Sequence, residues 1–306
     1  MFTERTFRRA ALASLLFTLV VILWGAFVRA TGSGAGCGSH WPTCHGEVLH
    51  RPASIETAIE MTHRVTSGLS LLGVLAVLGL SRRVYPTGHR VRRAAGWSMF
   101  FMVMEAALGA GLVLFELVAG DASLARGFST SAHLVNTFLL VGAMTLTLDF
   151  AWGGPRLAVS GQGRRGVLVW GALGGALFVG VTGAIAALGD TLFPARSLAE
   201  GLAQDFSGSA HIFLRLRTIH PFAAGAFAVY VLVVTGLLAS ARPSPRLSRR
   251  ATWVSISVLA QVAAGLVNLL LLAPVSLQML HLLLADGVWI ALVLFGREAL
   301  AEPAPG

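Results

Sequence analysis

Lysine is absent from the 306 residues, so all 23 basic side chains are arginine, and only 12% of the chain is charged. Soluble domains carry about 25% charged residues, so this scarcity excludes an ordinary water-soluble domain. Cysteine and tyrosine number two each, which excludes a disulfide-rich scaffold. A formal net charge of +9 suggests nucleic acid at first sight, but no soluble module presents a basic face, so no nucleic-acid partner is expected. What remains is 55% hydrophobic residues, gathered in long runs.

A helix needs roughly 20 apolar residues to cross about 30 Å of hydrocarbon. Eight such stretches are legible, near 10–28, 58–80, 95–118, 128–150, 166–188, 213–239, 250–273 and 276–296. The expectation is an all-α membrane protein of eight transmembrane helices. The first stretch follows a basic start as a signal peptide does, but no small-residue cleavage site precedes Gly32, so it is read as retained.

Arginine placement sets the orientation. Arg5, Arg8, Arg9, Arg82, Arg83, Arg90, Arg92, Arg93, Arg156, Arg164, Arg165, Arg242, Arg246, Arg249, Arg250 and Arg297 all fall on one side. The positive-inside rule makes that side cytoplasmic, with both termini there, in the plasma membrane. The loop GSGAGCGSHWPTCHGEVLHRPAS then lies outside and holds Cys37 and Cys44. An oxidising compartment favours a disulfide between them. Three readings of the pair stay open: a structural disulfide, a redox-active one, and a metal site with His40 and His45.

A polar, glycine-rich linker near WGGPRLAVSGQGRRG divides the chain, giving expected halves of 1–153 and 154–306. Four helices per half is an even number, so the halves run in the same sense as a parallel repeat. Each even-numbered stretch carries a histidine within about two turns of its outer end: His63, His133, His220 and His281. One histidine near a helix end is usually an interfacial side chain. Four at matched depth, two per four-helix half, form the arrangement that grips one haem in each half between two imidazoles. His40, His45, His50 and His89 lie in loops, and His211 has no counterpart in the first half. Arg29, Arg64, Arg126, Arg215 and Arg217 lie on the outer side near these histidines, where guanidinium forks suit haem propionates. Arg51 and Arg196 read equally well as interfacial snorkelling.

The chain closely resembles the haem A synthase family over nearly its whole length. The resemblance is carried by VRATGSGAGCGSHWPTCHG, IEMTHR, HLVNTF, RTIHP and QMLHLLLAD. It implies that the first half binds the substrate haem O between His63 and His133, while the second binds haem b between His220 and His281. The implied reaction oxidises the C8 methyl of haem O to a formyl group by successive hydroxylation and loss of water. Glu60 matches the catalytic carboxylate, and Cys37 with Cys44 match the disulfide of the cysteine-bearing members. Glu105 stands where the family and Gln261 suggest glutamine, and is expected to be a neutral, hydrogen-bonded acid. In the second half Arg217 occupies the place of Glu60, three residues before the histidine, which favours the first half as the reaction site. The rival reading is a dihaem b cytochrome that relays electrons and leaves Glu60 without a role. Because haem O is poorly soluble, the expected partners are haem O synthase, which hands the substrate over, and an electron-transfer protein.

Overall fold

A computed structural model of the chain describes residues 2–48, 51–158, 160–241 and 244–301; His50 and Arg242 lie outside the described residues. Among the described residues eight helices are long and apolar enough to cross a membrane. They are α1 (Glu4–Ala30), α2 (Ile55–Val84), α3 (Arg90–Leu114), α4 (Leu124–Ala151), α5 (Gly163–Leu192), the composite of α7 (Ile212–Arg217) with α8 (Ile219–Ala241), α9 (Pro245–Leu270) and α10 (Val275–Ala299). The expected spans overlap these helices, which begin a few residues before each apolar stretch; two stretches, 95–118 and 250–273, overrun their helices, which end at Leu114 and Leu270. Polar caps account for the extension: Thr3 accepts from the Thr6 amide, Ser54 from Thr57 and Ser123 from Arg126, satisfying first-turn donors in the headgroup layer. The short α6 (Leu198–Asp205) and the break between α7 and α8 were not anticipated. Pro221 explains the break, because it has no N–H for the carbonyl of Arg217 one turn earlier.

Helices α1, α2, α3 and α4 touch in a closed ring, as do α5, α8, α9 and α10. The rings meet where α4 and α1 pack on α10 and α5. In hydrocarbon a buried polar group needs an internal partner, and the seam supplies several. The Trp289 indole donates to the Phe138 carbonyl at 2.5 Å while its ring stacks on Phe138 at 5.4 Å. Gly142 makes room, since a Cβ there would lie 3.2 Å from the indole nitrogen. At the end of α4, Asp149 accepts from Arg250 of α9 and Arg297 of α10 at 2.9 and 2.8 Å. Side chains pointing away from both rings, such as Val20, Phe100 and Val229, are apolar and exposed, as a lipid-facing surface requires.

Candidate functional site

Each of the four helix histidines packs against a glycine on the preceding spanning helix. A Cβ at Gly25 of α1 would lie 2.8 Å from the ring of His63, at Gly183 of α5 3.0 Å from His220, and at Gly265 of α9 2.9 Å from His281. Gly109 of α3 faces His133 more loosely, at 3.6 Å. Sequence reasoning missed these glycines, which set the space beside each histidine ring. The available signal was a glycine four residues after both Glu105 and Gln261, in EAALG and QVAAG.

In the second ring the His220 and His281 imidazoles face each other with centroids 6.4 Å apart and planes at 89°. Two ring nitrogens each about 2.0 Å from one metal atom would place the centroids about 6.3 Å apart, which is the spacing of this pair. The tautomer of His220 follows from its neighbour. Thr182 donates its hydroxyl hydrogen to the Val179 carbonyl at 2.9 Å, so toward Nδ1 of His220, 3.0 Å away, it can only accept. Nδ1 therefore carries the hydrogen, and Nε2 keeps the lone pair a metal requires. Gln261 approaches Nε2 of His281 at 3.3 Å, and Nδ1 of His281 is buried without a partner among the described residues.

In the first ring His63 and His133 lie near enough for charge on one to act on the other. Nδ1 of each is buried and unpartnered among the described residues, which leaves ring nitrogens available to a ligand. Beside His133, Glu105 accepts from Asn136 at 2.6 Å and from Thr137 at 2.5 Å, and its Oε1 lies 3.5 Å from Nε2 of His133. Glu105 is thus hydrogen-bonded, through donors one turn along α4 from the histidine it touches.

Glu60 is 3% exposed and lies one turn outward from His63 on α2. Its Oε2 accepts from the Cys37 amide at 2.8 Å, and its Oε1 accepts from Nη2 and Nε of Arg64 at 2.5 and 3.1 Å. Arg64 also donates to the carbonyls of His40 and Thr43, so one guanidinium joins the carboxylate to the disulfide loop. Cys37 and Cys44 form a disulfide with Cα atoms 4.5 Å apart, and both are buried. The loop lies directly on α2: Thr57 donates to the Gly36 carbonyl at 2.7 Å, and a Cβ at Gly36 would sit 2.5 Å from the backbone of Glu56. With the sulfurs bonded to each other, neither offers a thiolate to a metal.

The remaining outer arginines are placed as follows. Arg29 crosses from α1 to the second ring, donating to Ala187 O at 2.8 Å, Thr191 Oγ1 at 2.7 Å and Gln278 Oε1 at 2.9 Å. Arg126 is 3% exposed and donates to the Ala119 and Asp121 carbonyls. Arg215 donates to Gly208 O, and Arg217 pairs with Asp190 at 2.8 Å and Asp205 at 2.6 Å. His211 caps α7 by accepting from the Phe213 amide, whereas His40 and His45 are exposed.

Residues 8–293 match the COX15-CtaA family, described as cytochrome oxidase assembly protein. Over 290 residues the chain is 46% identical to a Thermus thermophilus protein named protoheme IX farnesyltransferase, covering 95% of this chain and 48% of that relative. Over 146 residues it is 35% identical to a heme A synthase of Bacillus mycoides and 34% identical to one of Bacillus anthracis. Both of these matches cover 48% of this chain and 46% of the relative. The chain therefore spans about half the length of the curated relatives it matches.

Proposed function

We propose, from the premise that the chain belongs to the COX15-CtaA cytochrome oxidase assembly family, that it is an oxidoreductase converting haem O to haem A. One observation carries the reading: Glu60 is fixed one turn from His63, while the equivalent place beside His220 is taken by Arg217, already paired with two aspartates. A pure electron relay has no use for that difference. The two rings are read as a parallel repeat of residues 1–153 and 154–306, supported by the glycine set against each histidine.

Haem b, when held by His220 and His281, supplies one-electron transfer. In the first ring His63 and His133 bind the iron of haem O, the substrate. Oxidation of the C8 methyl would proceed by two hydroxylations, each adding the oxygen of one water and releasing two protons to base and solvent and two electrons to the electron-transfer partner, and the resulting gem-diol loses one water to give the formyl group. Glu60 contributes a carboxylate held by a backbone amide and Arg64. A fixed anion stabilises positive charge developing at the carbon under attack and accepts a released proton without reorganising. Arg64 positions that anion. Arg29, Arg126 and Arg215 lie on the outer side with the histidines, where propionates would be met by guanidinium groups, whereas the expected role of Arg217 there would require it to leave Asp190 and Asp205.

Arginine asymmetry supports cytoplasmic termini in the plasma membrane and an extracytoplasmic disulfide loop. The Thermus relative has about as much chain again beyond the matched region and bears a farnesyltransferase name. That supports handover of haem O from a farnesylating enzyme, with an electron-transfer protein as second partner.

The test is expression with haem O supplied, followed by chromatography of the extracted haems. Haem A and hydroxylated haem O are expected from the wild type. Unmodified haem O in a protein fully loaded with haem b would refute the reading and favour the dihaem b cytochrome.

A further inference from the structure

A cavity of about 160 Å³ opens at the membrane face opposite the disulfide loop, where α2 ends, α3 starts and α4 ends. It is lined by Gly88, His89, Arg90, Arg93 and Arg156. Three arginines thus line it from two chain segments, the α2–α3 turn with the first turn of α3, and the α4–α5 linker. Among the described residues no carboxylate lines the cavity. Glu4, near enough to act on His89, is held by Arg8 at 2.6 Å, and Asp149 at the end of α4 is committed to Arg250 and Arg297.

Nε of Arg90 is buried without a partner among the described residues, while the head of that guanidinium lies 5.7 Å from the Phe150 ring centre. Nδ1 of His89 accepts from the Val91 amide at 3.3 Å, so the neutral ring carries its hydrogen on Nε2 and presents a further donor. Burial and then the Arg90 guanidinium hold the His89 imidazole below its ordinary pKa, against an opposing effect of Glu4. The amino terminus of α3, a helix of 25 residues, adds its own preference for an anion. Four donor side chains around a small acid-free cavity suit a tetrahedral phosphate group.

Depth identifies the carrier of the phosphate. Trp97 lies two turns along α3 from Arg90, about 10 Å deeper, and is 58% exposed. Trp152, beside the linker that brings Arg156, is 57% exposed. Exposed tryptophans mark the boundary between acyl chains and headgroups. The arginines therefore sit at headgroup level. We propose that this cavity is a binding site for the phosphodiester headgroup of an anionic phospholipid.

The test uses the full-length protein, purified in detergent and stripped of lipid. Phosphatidylglycerol, phosphatidylcholine and inorganic phosphate are added separately, and binding is read by native mass spectrometry and thermal stability. Phosphatidylglycerol is expected to bind and stabilise, and phosphatidylcholine to do neither. The double variant R93Q/R156Q should bind phosphatidylglycerol about 30-fold more weakly, the effect of two lost guanidiniums near a membrane surface. R82Q/R83Q removes the same charge from the same face outside the cavity and should bind as the wild type does. If R93Q/R156Q does not fold, the single variants are each expected to lose about fivefold. Equal losses in both double variants would reduce the site to diffuse surface charge and overturn the proposal. So would equal binding of the two lipids, or inorganic phosphate binding as tightly as phosphatidylglycerol.

Discussion

The backbone amide of Cys37 donates to Oε2 of Glu60 at 2.8 Å, across 23 residues of sequence. A disulfide-closed loop thereby holds the carboxylate one helical turn from His63, and Arg64 holds both the other carboxylate oxygen and the far side of the loop. The cysteines and the acid form one unit. Loop order and acid position should be lost together.

Opening that loop is the first prediction. Closing a loop of this length restricts the open chain by about 2.5 kcal/mol on the chain-entropy estimate. The double variant C37S/C44S is expected to keep its haem b absorbance while haem A formation falls at least tenfold, because Glu60 loses its fixed donor. Normal haem A yield from a loop shown by proteolysis to be mobile would separate the loop from the chemistry.

Glu60 and Arg64 should respond differently to substitution. Glu60→Gln still accepts from the Cys37 amide, so the fold should survive while haem A formation drops by a factor of about 10² to 10⁴, the range for removing a general base. Arg64→Met leaves a buried carboxylate without its partner, and should cost about 3 to 5 kcal/mol of stability as well as activity. Thermal unfolding with haem chromatography on both variants distinguishes the two outcomes. Equal stability loss in both would assign Glu60 a structural role.

The glycines set against the histidines provide an internal comparison. Alanine at Gly183 or Gly265 places a Cβ about 3 Å or less from an imidazole ring, and should displace it enough to remove the haem b signal. Gly25→Ala should impair substrate-haem binding in the first ring and leave haem b in place. Gly109→Ala meets His133 at ordinary contact distance and should resemble the wild type. Absorption spectra and haem-to-protein ratios for the four variants decide it. Loss at Gly109 equal to that at Gly265 would contradict the steric account.

Thr182 accepts the Nδ1 hydrogen of His220, and such a partner raises the basicity of a ligating imidazole. Thr182→Val leaves that N–H buried and unpaired, at a cost of about 1 to 3 kcal/mol. The weaker imidazole donor should favour ferrous iron, so the midpoint potential of haem b is expected to rise. A redox titration that shows no change, or a fall, would remove Thr182 from the ligand's support.

Eight apolar stretches, the arginine asymmetry and the four matched histidines were all legible in the one-dimensional chain. Each depends on local physics: the thickness of hydrocarbon sets a span, burial of charge is costly, and a histidine's depth follows from its distance to a helix end. Family membership followed from short motifs for the same reason. Contacts between helices were not legible in this way. Sequence alone set Arg64 beside His63 as a candidate for a propionate, but folding brings the loop carbonyls of His40 and Thr43 and the carboxylate of Glu60 onto its guanidinium. Arg29, which the chain places in the first half, reaches three acceptors of the second. The glycine opposite each histidine belongs to another helix, so no period along one helix reveals it. What the sequence by itself determined is which segments are long and apolar enough to cross a membrane and which histidines share a depth along them. Only the tertiary structure decided which partner each charged group takes, because in a low-dielectric interior a guanidinium pairs with whatever acceptors packing brings within about 3 Å.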